Sequence, residues 1–145
     1  MIPPLQIQPR ENIIPIDDWQ DYLHDGEKFL KTAASAFEKG KKAFSEESLY
    51  NITAMAIEKF IMAFLMRNGD LAENHTMIDL AAALKRHLKV MPAELEQKLE
   101  FLGSFQEICD MDQYQCTIPT KEEIRKIIDT GQEVQALLTP FLIDE

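Results

Sequence analysis

The chain is poor in the residues that build several common protein classes. It has two cysteines, Cys109 and Cys116, so neither a Cys-x-x-Cys pair nor a metal-ligand quartet of thiols can be made. Glu-x-x-His, the unit repeated in carboxylate di-iron bundles, does not occur. No Gly-rich phosphate loop, Gly-x-Ser-x-Gly elbow or zinc spacing is present. These absences exclude the common phosphate-loop and zinc classes and leave room for a dispersed site. Glycine is scarce at five residues, and alternating apolar-polar runs are few, which argues against a sheet protein. The amino end, MIPPLQIQPRENII, has no basic start followed by an apolar core and does not read as a secretory signal. Positive charge is also short. Lys and Arg total 15 against 25 Asp and Glu, a formal net charge of -10. Such a chain is repelled at long range by nucleic acid and anionic membrane, so any RNA contact needs a local basic patch.

What is present points to one helical domain. The length of 145 residues suits a single core, and 46% hydrophobic with 28% charged residues is a globular composition. Residues 49–66, LYNITAMAIEKFIMAFLM, form the most apolar stretch. As a helix it is apolar on almost every side and needs cover all round, at the centre of a bundle or in a dimer interface. Glu58 and Lys59 near its middle would be poorly tolerated in lipid, so no membrane span is expected. The expected location is the cytoplasm, with both thiols reduced.

The remaining elements follow from spacing and punctuation. Residues 1–16 hold four prolines and read as an extended arm, with Ile13, Ile14 and Ile16 placed to pin it to the body. Residues 17–145 then form the bundle domain. Asp17 or Asp18 is placed to cap a first helix that ends near Gly40. Ser45 caps the second helix, which runs to about Arg67 and stops at Gly69. Thr76 and Asp79 open a short third helix that runs through Leu80, Ala81 and Leu84 toward Lys89. Pro92 starts a fourth, residues 110–119 form a loop, and the Thr120–Glu123 capping box opens the last. Ile124, Ile127, Ile128, Val134 and Leu137 should be its buried face, and Pro140 its end. The fold class expected is all-α: an antiparallel four-helix up-and-down bundle with one additional short helix.

Three stretches resemble the HEPN domain family: KFLKTAASAFEKGKKAF on the first helix, NITAMAIEKFIMAFLMRNG on the second, and ENHTMIDLAAAL opening the third. The likeness covers roughly residues 20–138 and rests on helix order as much as on these strings. It implies a HEPN-like bundle, usually a homodimer with functional residues at the subunit interface. Some members are metal-independent ribonucleases, often toxins, with Arg-x(4–6)-His near the last long helix. Others accompany a nucleotidyltransferase or are thought to bind nucleotides, without that pair. This chain departs from the ribonuclease pattern. Arg10, Arg86 and Arg125 have no histidine at the required distance, and seven residues separate Arg67 from His75. The resemblance therefore implies a non-catalytic binding or accessory module for a nucleotide, RNA or a nucleotidyltransferase. The alternatives are a toxin-type ribonuclease and a structural protein-interaction domain.

Two constellations could carry chemistry. In a ribonuclease, His75 would shuttle a proton, Arg67 would hold phosphate and Asn68 would position a polar group. The plainer alternative is that Arg67 neutralises carbonyls at a helix C-terminus and His75 merely precedes a cap. Lys85, Arg86, His87 and Lys89 form the densest basic cluster and the best candidate for binding a phosphate or nucleotide. Their plainer role is to complement a helix dipole. Asp21 and His24 lie at i, i+3, but a metal site needs more ligands, and neither metal nor cofactor is expected. Cys109 and Cys116 read as ordinary packing residues.

Overall fold

A computed structural model of the chain describes residues 16–72, 74–111 and 118–142, with side chains 106–111 excepted. The proline-rich stretch 1–15, the side chain of Cys109, and Cys116 lie outside the described residues. The described residues form five α-helices and no strand: α1 Trp19–Glu38, α2 Glu46–Arg67, α3 Met77–His87, α4 Ala93–Met111 and α5 Lys121–Leu142.

Helix α2 is the centre of the fold. Ala56, Ile57, Phe60, Ile61, Ala63 and Leu65 on it are completely buried. Helices α1, α3 and α5 all pack against it. Most of its cover thus comes from within one chain, and a strip through Asn51, Met55 and Glu58 stays open, with Met55 44% exposed. By length and composition α2 could cross a bilayer, but in the fold it is a wrapped core helix. Its two mid-helix charges are matched: Lys59 reaches Asp25 at 3.9 Å, and Glu58 pairs with His75.

Side-chain contacts give the direction of each long helix. The start of α1 lies beside the end of α2, where the Arg67 guanidinium sits over the Trp19 ring. A Cβ at Gly26 would meet Phe60 at 3.0 Å, so the missing side chain lets these antiparallel helices approach. Phe64 meets Phe141, and Thr53 lies near Gly131, so α5 runs with α2. Lys98 pairs with Glu133 while Phe101, further along α4, shares a wall with Lys126 and Asp129, so α4 runs against α5 and therefore against α2; Tyr50 of α2 meets its middle at Leu102 and Phe105. Four long helices alternate in direction, and α3 is the short addition.

The caps follow local chemistry, with corrections. Ser45 accepts from the Ser48 amide at 3.1 Å, and Thr76 from Asp79 at 3.2 Å. The Thr120–Glu123 box closes both ways, at 2.9 and 3.2 Å. Asp18 occupies the N-cap of α1 but makes no side-chain cap bond. Its φ of 75° is left-handed, and its carbonyl accepts from Tyr22. Pro140 does not end α5, which continues to Leu142. The proline lacks only one donor there, and the Phe141 carbonyl is capped by Arg67. Leu138 rather than Leu137 is the fully buried leucine of that turn, and α4 runs on to Met111. Of the three isoleucines placed to pin the arm, Ile16 is described: its amide donates to the Met66 carbonyl at 2.7 Å.

Candidate functional site

The end of α2 gathers most of the residues singled out in the sequence. The helix stops because Gly69 adopts a left-handed φ of 73°, and the chain turns there toward α3. Asn68 spends its side-chain amide on the Phe64 carbonyl at 2.8 Å, so it supports the helix end. Arg67 donates from Nε to the Phe141 carbonyl at 2.9 Å and lies 5.0 Å above the Trp19 ring. It does neutralise a helix C-terminus, but that of α5 rather than its own.

His75 is placed elsewhere. Its Nδ1 meets the Glu58 carboxylate, far back along α2. Glu58 and Arg67 are nine residues apart, about 13 Å along the helix at 1.5 Å per residue. The arginine and the histidine are each held by a partner of their own and not by each other.

The basic cluster at the end of α3 is matched by carboxylates. Asp70 Oδ2 lies 2.8 Å from Arg86 Nη2 and 2.8 Å from His87 Nε2. Its other oxygen accepts from the Leu71 amide at 2.7 Å. Partial burial would raise the Asp70 pKa. The hydrogen bonds from His87, Arg86 and Leu71, with the Arg86 charge, outweigh it and hold the carboxyl below its ordinary value. Lys85 pairs with Glu96 of α4, and Lys89 is exposed. His87 also stands edge-on to Phe64, with ring centres 6.1 Å apart. These residues tie α3 to the α2 stop and to α4.

Asp70 and Glu58 were not singled out by sequence reasoning. Both are ordinary acidic residues whose partners lie 16 or 17 positions away. A stop signal followed by an acid, Asn-Gly-Asp, was the available hint for Asp70. His24 pairs with Glu27 at 3.4 Å rather than joining Asp21, and the described residues hold no cluster suited to a metal.

The fold and these pairs define a five-helix, all-α bundle with a polar, histidine-bearing end. Residues 19–139 match the model of the HEPN domain, and the chain belongs to that family. Two solved structures share the fold. TT1696 from Thermus thermophilus aligns with a TM-score of 0.67 at 19% identity, over 86% of this chain and 98% of its own. ST0689, described as an archaeal HEPN homologue, aligns with a TM-score of 0.66 at 17% identity, over 88% and 100%. No curated protein matches the chain significantly.

Proposed function

We propose that this HEPN domain is a non-catalytic binding or accessory module that serves a nucleotide, RNA or a nucleotidyltransferase partner and works as a homodimer. The observation that carries this reading is the separate engagement of Arg67 and His75. Cleavage through the RNA 2′-hydroxyl needs a proton-transfer group and a phosphate clamp within reach of one phosphodiester. Here the clamp candidate caps α5, and the proton-transfer candidate is held at Glu58. The homodimer rests on family likeness, because helices of the same chain already cover most of the apolar surface of α2.

Expression in bacterial cells tests the reading. The chain should leave growth unchanged. Growth arrest relieved by His75→Ala would overturn the reading in favour of a toxin-type ribonuclease.

A further inference from the structure

A second basic site lies away from both constellations, and no short stretch of sequence contains it. An open cavity of about 530 Å³ sits where the end of α1, the connection to α2 and the start of α5 meet. Lys41 and Lys42 come from the connection, and Lys121 and Arg125 from the first turns of α5. Some eighty residues separate the two pairs, so only the fold unites them.

These cations differ from the 85–89 cluster in one decisive respect. Among the described residues, none of the four has a carboxylate at ion-pair distance, whereas Lys85, Arg86 and His87 all do. Glu38 and Glu46 also line the cavity, which leaves its formal charge positive in a chain of net charge -10. Concentrating unpaired positive charge costs folding energy through mutual repulsion. Here that repulsion is left standing beside a concave, partly apolar wall.

The wall sets the size and character of an occupant. Phe37, Phe44 and the buried Leu49 form its apolar part, and the Arg125 guanidinium lies 5.1 Å above the Phe37 ring. Small-molecule sites measure roughly 300–1,000 Å³ and combine apolar surface with a few polar groups. Lysine and arginine bind phosphate oxygens through charge-assisted hydrogen bonds.

We infer that this cavity binds a small phosphorylated molecule of nucleotide size through Lys41, Lys42, Lys121 and Arg125. The inference rests on the binding-module reading and gives that module a ligand site distinct from the 85–89 cluster.

Calorimetric titration of the full chain with ATP and with inorganic triphosphate tests it. Both should bind. Tighter binding of ATP would mark a nucleotide as the source of the phosphate, and equal binding a free polyphosphate. Lys42→Ala/Lys121→Ala should weaken binding about tenfold or more, the scale of one lost charge-assisted hydrogen bond. Lys42→Arg/Lys121→Arg should retain it. Both lysines are exposed and repel their neighbours, so the arginine variant should melt with the parent and the alanine variant at or above it. No binding of either probe would overturn the inference, as would unchanged binding in the alanine variant. Binding lost only in Lys85→Ala/Lys89→Ala would move the ligand to α3; this would overturn the cavity assignment and leave the module reading intact. A single-stranded RNA that binds where both probes fail would also overturn it.

Discussion

Asp70 Oδ2 lies 2.8 Å from His87 Nε2, joining the turn after α2 to the last residue of α3. Arg86 meets the same oxygen at 2.8 Å. The pair turns a sequence-level cationic cluster into a structural tie. Its pH dependence has a definite sign. The carboxyl is held below its ordinary value of 3.8, so the tie contributes stability above that pH. The contribution is lost as pH falls through the folded value. Urea unfolding of Asp70→Asn should therefore show a shallower loss of stability below about pH 4 than the parent. Identical acid profiles would contradict the role given to Asp70.

The central helix is intolerant of charge. Ala63 is completely buried on α2. Ala63→Asp places a carboxylate among apolar side chains with no partner and should cost about 3–5 kcal/mol. Urea denaturation measures it, and an unchanged midpoint would contradict the burial of that face.

Tyr50 is a buried polar anchor between α2 and α4. Its hydroxyl donates to the Leu102 carbonyl at 2.7 Å. Tyr50→Phe keeps the ring contact with Phe105 and removes this donor, so it should cost about 1 kcal/mol. A chemical-denaturation difference near zero would show that the bond adds nothing net.

The start of α5 depends on a reciprocal cap. Thr120 accepts from the Glu123 amide while Glu123 accepts from the Thr120 amide. Thr120→Ala should cost about 1 kcal/mol, read as a lowered melting temperature. Thr120→Ser should recover most of it.

Local chemistry made much of this fold legible in the sequence. Ser45, Thr76 and Thr120 cap the helices they precede, because a cap needs only residues two or three positions ahead. The uniform apolarity of residues 49–66 marked the core helix, because a helix apolar on almost every side needs several neighbours, and α1, α3 and α5 supply them. The site was far less legible. The densest cationic run proved to be matched by Asp70 and Glu96, which lie outside it. Arg67 found its acceptor 74 residues away on α5. Long-range pairing of this kind depends on helix order and rotation, which spacing within one segment does not encode. Pro140 failed as a stop because a proline removes one donor and does not by itself end a helix: α5 runs two residues past it, to where Arg67 of α2 holds the Phe141 carbonyl.

The most direct measurement is incubation of purified protein with total RNA, run beside His75→Ala and Arg67→Ala. With Arg67 on the Phe141 carbonyl and His75 on Glu58, all three samples should leave the RNA intact. Cleavage by the parent that disappears in both variants would show the two residues acting together and would contradict this account.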